Sequence, residues 1–260
     1  MEERKQREIE YYDKYAKEWL KSPLAKKWEG DFEGFNPELL TSFQFCYRWL
    51  EKNCRNKQVL DYGCGNGIHS VFLAKSGAKV VGIDLSEPSL QIARERAERE
   101  GLTGKTEFLK MDCEKMEFPN DFFDIVFDGG TFSSLDFKKA FPELARILKP
   151  AGFLIGIETL GHNPLTNLKR KINKIRGKRT GWAATHIFKM NDLSEAKNYF
   201  SAIETNFFHL TSLVIFPFLG LPGTKFLLKI LEEIDRGLFK IPFFKKYAFK
   251  VVFIFSQPKI

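Results

Sequence analysis

The chain has 260 residues, 43% of them hydrophobic and 28% charged, which excludes a disordered or low-complexity protein and fits a soluble globular one with a substantial core. Its formal net charge of +8 is uneven: residues 1–160 sum to −3 and residues 161–260 to +11, so an anionic partner or surface is expected near the C-terminal part. Met1–Arg7 is charged from its second residue and Leu210–Thr224 is too short and too rich in proline to span a bilayer, so neither a secretory signal nor a transmembrane helix is expected.

In chain order, Ile9–Lys27 reads as an aromatic-rich helix. Gln58–Tyr62 is an apolar strand, followed by a helix from Gly67 to Ser76 and a second strand at Lys79–Asp84. Pro88 sits where the first turn of a helix tolerates its missing N–H, and that helix runs to Glu100. Thr106–Leu109 and Phe122–Phe127 are the third and fourth strands, Phe137–Leu148 a helix ending before Pro150 and Gly152, and Phe153–Glu158 the fifth strand. Beyond it the pattern loosens. Leu165–Arg179 is basic and broken by Gly177, and Asn191–Phe200 is a short helix capped by Asn191 or Asp192. Phe207–Ile215 reads as a sixth strand, Gly223–Leu238 as an amphipathic helix and Tyr247–Ser256 as the last strand. Strands alternating with helices predict an α/β fold with a mostly parallel sheet.

The strongest motif is Asp61-Tyr62-Gly63-Cys64-Gly65-Asn66-Gly67, placed after a strand and opening a helix. Glycines at every second position let the backbone approach a ligand where a Cβ would collide. A dinucleotide fingerprint would read GxGxxG with a pyrophosphate at the helix N-terminus. Here the spacing is GxGxG, and a carboxylate two residues ahead of the first glycine suits a cationic ligand instead. Asp84 ends the second strand, where a carboxylate can accept from both hydroxyls of a ribose, and Asp112 follows the third strand at the same sheet edge.

These residues resemble the class I S-adenosylmethionine-dependent methyltransferases, in the broad type 11 group that includes quinone-biosynthesis enzymes, from about Tyr11 to Glu158. The resemblance implies a Rossmann-like seven-stranded, mostly parallel sheet with an antiparallel last strand, helices on both faces, an N-terminal helical lid and a helical insertion before the last strand. With no internal repeat and no low-complexity linker, one domain is expected over residues 1–260: a cap at 1–50, a cofactor-binding core at 57–160 and an acceptor-side half at 161–260. The cofactor is then S-adenosylmethionine, leaving S-adenosylhomocysteine as product. Asp61 and the Gly63–Gly67 loop, with Cys64 and Gly65 in it, would hold its methionyl part, Asp84 the ribose and Asp112 the adenine amino group. His69, Leu85, Met111, Cys113, Asp128 and Gly129 would be its other neighbours, and Tyr11 or Tyr15 would close over it. Cys64 and Cys113 read as small packing residues rather than nucleophiles. With Cys46 and Cys54 they show no metal-ligand spacing, so reduced thiols, no metal and a cytoplasmic location are expected. After the fourth strand, Asp128-Gly129-Gly130-Thr131-Phe132-Ser133-Ser134-Leu135 has serines where familiar members carry histidines.

Methyl transfer from a sulfonium needs alignment and exclusion of water, and a general base only for a hydroxyl or weakly acidic carbon acceptor. The candidates are His162, just after the fifth strand, and His186; with Phe132 and Ser133 they are the expected acceptor-binding residues. His209, inside a predicted strand, reads as structural. The basic run Lys169–Arg179, and the apolar and basic faces of Gly223–Leu238 and Pro242–Lys246, suit a lid over a small or lipid-like acceptor and peripheral contact with an anionic membrane. An RNA methyltransferase is the alternative that the positive half suggests; no D/N-P-P-Y/F motif and no RRM, KH or zinc-knuckle signature is present, so no specific nucleic acid is expected. A non-catalytic cofactor-binding subunit is the other alternative.

Overall fold

The computed structural model describes residues 2–21, 40–175, 180–183, 185–219 and 221–259. Helices α1 (Glu3–Leu20) and α2 (Thr41–Asn53) precede an alternating core. The core comprises β1 (Gln58–Tyr62), α3 (Ile68–Lys75), β2 (Lys79–Asp84), α4 (Glu87–Arg99), β3 (Thr106–Lys110), β4 (Phe123–Asp128), α5 (Phe137–Ile147) and β5 (Leu148–Thr159). Then come α6 (Pro164–Ile175), α7 (Met190–Glu195), β6 (Phe200–Phe208), α8 (Thr224–Leu238), α9 (Pro242–Lys245) and β7 (Lys250–Pro258).

The seven strands form one sheet in the order β3-β2-β1-β4-β5-β7-β6, with β7 antiparallel to both neighbours and the other pairs parallel. The order reverses at β1, flanked by β2 and β4, and the crevice beyond the carboxyl ends there is where an open α/β sheet receives ligands. Both faces of the sheet are covered, so the central strands are apolar on both sides. Alternation then divides their residues between two cores: Leu60, Tyr62 and Phe123 join Phe132, Phe141 and Phe253 on one face, while Val59, Val80, Ile125 and Phe127 join Leu50, Leu73 and Ile155 on the other. Much of the unusual phenylalanine content is used here, for example in the stacked pair Phe132–Phe253 at 5.5 Å.

Local chemistry sets the boundaries. Ser86 caps α4 by accepting from the Ser89 N–H at 3.3 Å, with Pro88 in the first turn. Four expectations are corrected. The sixth strand is Phe200–Phe208, not Phe207–Ile215, because the Asp235 carboxylate of α8 takes the N–H groups of Leu210 (2.9 Å), Thr211 (2.6 Å) and Ser212 (3.2 Å), and those amides cannot then join a ladder. His209 turns the chain with φ 62°, and Ser212–Phe218 forms 3₁₀ turns. The fifth strand begins at Leu148 rather than Phe153, since Leu148 pairs with Phe123 before a register shift that accommodates Pro150. The cap of α7 is Lys189, whose N–H donates to Asp192 Oδ2 at 2.6 Å from inside the helix, rather than Asn191 or Asp192. The last strand starts at Lys250 rather than Tyr247, whose carbonyl accepts from Asn163 Nδ2 at 2.7 Å instead. Residues 22–27 of the expected N-terminal helix, and Gly177 and residues 176–179 of the basic run, lie outside the described residues.

Candidate active site

A cavity of about 370 Å³ lies at the carboxyl ends of the parallel strands, roofed by α1. The loop after β1 forms one wall. Gly63, Gly65 and Gly67 have φ values of 69°, 50° and 74°, a left-handed conformation that side-chain-bearing residues adopt only at a cost. Neighbours fix two of them: a Cβ on Gly63 would stand 2.3 Å from Thr131 Oγ1, and one on Gly67 would stand 2.7 Å from the Ala93 Cβ of α4. Gly63, Cys64 and Gly65 line the cavity; Gly67 instead seats the loop on α4.

Asp61 does not reach the wall. It is 1% exposed behind the loop, where Ser70 Oγ of α3 donates to its Oδ2 and ties that helix to β1. Burial pushes its pKa up to about 7; the Ser70 bond opposes the rise and the charge of Asp84 adds to it. Asp84 does line the cavity, beside Leu85. Its Oδ2 accepts from the Gly65 N–H at 3.0 Å and its Oδ1 from the Ser86 N–H at 2.8 Å, so the carboxylate is held rigidly with lone pairs left for a ligand. Burial raises its pKa against those backbone bonds.

Asp112 and Cys113 line the next stretch, whereas Met111 packs against the core. Here the first turn of α1 is fastened down. Lys5 Nζ meets Asp112 Oδ2 at 2.6 Å and Glu114 at 2.8 Å, and Arg4 donates to both oxygens of Glu114 at 2.6 and 2.7 Å and to the Ser134 carbonyl at 2.7 Å. Burial works against the Lys5 ammonium, but its bonds to Asp112 and Glu114 outweigh that and raise its pKa. Farther along α1, Ser86 Oγ donates to Asp13 at 2.7 Å. Between these fastenings Tyr11, Tyr12 and Tyr15 face the cavity, with Tyr11 and Tyr15 at 4.8 Å between centroids.

The far end of the cavity is built by β4, β5 and β7. His69 lines it, with Nδ1 at 2.7 Å from Tyr47 Oη and its ring stacked on Phe43 at 5.9 Å. Burial, reinforced by Lys250 and Arg96, depresses its pKa to about 4, so the ring is neutral at neutral pH. Gly129 is required beside it, since a Cβ there would lie 2.8 Å from His69 Cδ2. Glu158 and Thr159 at the end of β5 and Lys250 at the start of β7 complete this end, with Thr159 and Lys250 paired across the sheet. The Lys250 ammonium lies 5.4 Å from the Phe43 ring centroid. Asp128 is buried behind them: Oδ1 accepts from the Thr131 N–H at 2.9 Å, while Oδ2 has no hydrogen-bond partner among the described residues. Burial raises its pKa well above the ordinary carboxylate value, and the charge of Glu158 adds to the rise.

Of the expected acceptor residues, Ser133 lines the cavity. Phe132 is fully buried in the core, because its ring is surrounded by Phe137, Phe141, Phe188 and Phe253. His162 and His186 are not on the cavity wall. His186 is exposed and stacked on Trp182 at 3.3 Å, and His162 lies half-buried, where burial, reinforced by the charges of Lys189 and Lys246, lowers its pKa. Buried His209 is held between Ser42 (3.0 Å) and Ser212 (3.3 Å) and is structural. Sequence reasoning missed Arg4, Lys5, Tyr47, Glu114, Glu158 and Lys250. The logic applied to Asp84, an acid at a strand's carboxyl end, would have found Glu158; the others carry no local signal.

A sheet with this strand order and a cofactor-sized cavity at its switch point defines the Rossmann-like class I methyltransferase fold. Residues 59–152 match the family described as "Methyltransferase domain". The demethylmenaquinone methyltransferase of Thermus thermophilus is 39% identical over 130 residues, 46% of this chain and 57% of that protein. The sterol 24-C-methyltransferase erg6 of Aspergillus fumigatus is 33% identical over 145 residues, 54% of this chain and 38% of that protein. The chain thus spans less than two thirds of the length of the curated relatives it matches. Among solved structures, a Haemonchus contortus phosphoethanolamine N-methyltransferase complexed with S-adenosylhomocysteine superposes with a TM-score of 0.57 at 21% identity, covering 84% of this chain and 58% of that one. A putative sarcosine dimethylglycine methyltransferase from Galdieria sulphuraria gives 0.56 at 17% identity, covering 83% and 86%. Residues 59–152 thus carry a class I S-adenosylmethionine-dependent methyltransferase domain, whose relatives include quinone-biosynthesis and sterol methyltransferases.

Proposed function

We propose that the protein transfers a methyl group from S-adenosylmethionine to a small-molecule acceptor of lipid-like character, quinone- or sterol-like, and that its 260 residues work as one unit. The observation that carries this reading is a single cavity joining a ribose-sized carboxylate site at Asp84 to a second polar end at His69, Glu158 and Lys250. The residues fit the cofactor. The backbone of Gly63 and Gly65 is open to the cavity, Asp84 offers two oriented carboxylate oxygens to a ribose, and Asp112, on the same wall and bonded to Lys5, is the acid that this reading gives to the adenine amino group. When bound, the cofactor supplies a methyl group on a sulfonium, which departs as a neutral thioether.

The protein's own work is positioning and exclusion of water. The α1 roof, fastened by Arg4 and Lys5, shuts the cofactor end. At the acceptor end Tyr47 fixes the orientation of His69, whose neutral ring can donate to or accept from an acceptor hydroxyl, while Lys250 favours an acceptor oxygen carrying negative charge. We further propose a cytoplasmic protein at the periphery of an anionic membrane, where a lipid-like acceptor would be met.

The test is transfer of radiolabelled methyl from the cofactor to demethylated quinols, sterols and RNA, with S-adenosylhomocysteine binding measured in parallel. Label in the organic extract with quinols or sterols is the expected result. Label in RNA, or tight binding of S-adenosylhomocysteine without transfer to any of the three, would overturn the reading in favour of an RNA enzyme or a non-catalytic subunit.

A further inference from the structure

Among the described residues, 14 large hydrophobic side chains are exposed, and 12 of them lie between Leu165 and Phe243. Topology brings those segments to one place. The end of β5 leads into α6, the end of β6 into the turns before α8, and α9 leads into the start of β7. All three of these strand ends lie at the cavity-bearing edge of the sheet, since β7 runs antiparallel to β5 and β6. On α8, Phe226, Ile230 and Ile234 recur every four residues and therefore share one helix face; Phe226 is 72% exposed. The inner side of α8 is spent on Asp235, which holds Leu210, Thr211 and Ser212. On α6, Leu165 and Leu168 are each 58% exposed, while Arg170 of the same helix turns inward to line the cavity. Asn163, just ahead of α6, donates to the Tyr247 carbonyl just after α9, so Phe243, 59% exposed, belongs to the same edge.

Cations stand among these apolar groups. Lys169 and Lys171 are exposed on α6 and Lys225 and Lys229 on α8, and Lys246 sits over the Phe243 ring at 4.8 Å. Residues 164–175 contain no acid. Apolar side chains left in water beside lysines match the make-up of helices that lie in a lipid headgroup layer. On α8 Glu232, Glu233 and Asp235 offset the cations, so the excess charge of the face comes from α6 and from Lys245 and Lys246. A second copy of the chain would bring two surfaces of net positive charge together and be repelled, whereas an anionic bilayer offers an apolar sink and a negative potential at once.

We infer that α6, α8 and α9 form a face that docks on a bilayer containing anionic phospholipid, holding the acceptor end of the cavity at the membrane surface. For its purpose this rests on the reading of a lipid-like acceptor; the docking can be measured without it.

The experiment is co-sedimentation of the full chain with vesicles of phosphatidylcholine alone or mixed with phosphatidylglycerol, at low and high salt. Strong binding only to the mixed vesicles, weakened by salt, is expected. Phe226→Ser/Phe243→Ser and, separately, Lys169→Glu/Lys246→Glu should each lower the bound fraction at least about tenfold, because both apolar insertion and charge contribute. Thermal unfolding and S-adenosylhomocysteine affinity should stay unchanged, which keeps a loss of docking distinct from a failure of the methyltransferase reading. Wild-type protein that ignores anionic vesicles, or variants that bind as well as wild type, would overturn the inference. So would sedimentation velocity showing a wild-type dimer that the same substitutions dissociate.

Discussion

Asp84→Ala separates the structural from the ligand-binding work of one carboxylate. In the free protein it leaves the N–H groups of Gly65 and Ser86 without their acceptor, bonds of 3.0 and 2.8 Å. At about 0.5–1.5 kcal/mol each, the loss is about 1–3 kcal/mol, reduced somewhat because a carboxylate with a burial-raised pKa is also removed. For a chain of this size that lowers Tm by about 2–10 °C, so the variant remains folded and assayable. The ligand loses two charge-assisted hydrogen bonds from its ribose hydroxyls. Each is worth about 1.5–3 kcal/mol, and competing water reduces the net loss to about 2–4 kcal/mol. Calorimetric Kd for S-adenosylhomocysteine should therefore rise by about 30- to 1000-fold. Asp84→Asn keeps one acceptor oxygen and nearly the same shape, and should cost about tenfold. An alanine variant that is folded and binds within about threefold of wild type would refute the ribose role and, with it, the direction assigned to the cavity.

Lys5→Glu should set a carboxylate against Asp112 and Glu114, loosen the first turn of α1 and speed dissociation of S-adenosylhomocysteine by about tenfold in stopped-flow measurements; an unchanged rate would show that α1 is not a roof over the ligand. Asp61, with a folded pKa of about 7 against 3.8, binds its proton more tightly when folded, so its contribution to stability is complete below about pH 4 and is lost as pH rises through 7. Urea unfolding should register about 4 kcal/mol of this loss, and Asp61→Asn should flatten that part of the pH profile; an unaltered slope would count against the shift. Gly129→Ala should push His69 off Tyr47 and slow methyl transfer by about 100-fold with a smaller change in cofactor affinity, and comparable transfer rates would remove His69 from the acceptor end. His162→Ala and His186→Ala should each change transfer by less than about threefold, because neither lines the cavity; a tenfold loss from either would reinstate it as an acceptor residue.

The parallel core and the sheet edge that carries the cavity are legible in the residue order alone. Val59-Leu60-Asp61-Tyr62 and Lys79–Asp84 are apolar runs, each with a glycine turn at one end, and Asp84 at the end of the second strand and Asp112 after the third mark the ligand edge, because strand length, turn chemistry and the side of the sheet on which loops emerge are all local properties. For the same reason the alternating glycines could be read, though not the reason for each: Thr131 demands the first and Ala93 the third, and both come from distant parts of the chain. Tertiary structure alone decided the acceptor end. Phe132 looked like a wall residue and is core, since aromatic residues from α5, β7 and the segment before α7 converge on it. His162 and His186 looked placed for catalysis by their position after β5, but the direction of a loop side chain depends on what the rest of the chain packs beside it. His69, Glu158 and Lys250 share one cavity end, and Tyr47 holds His69 from behind it, although most of the sequence separates Tyr47 from Lys250. The same holds for Asp235, which ends the sixth strand from 23 to 25 residues away. Such encounters leave no period or motif in the sequence, because the free energy that produces them is that of the assembled sheet.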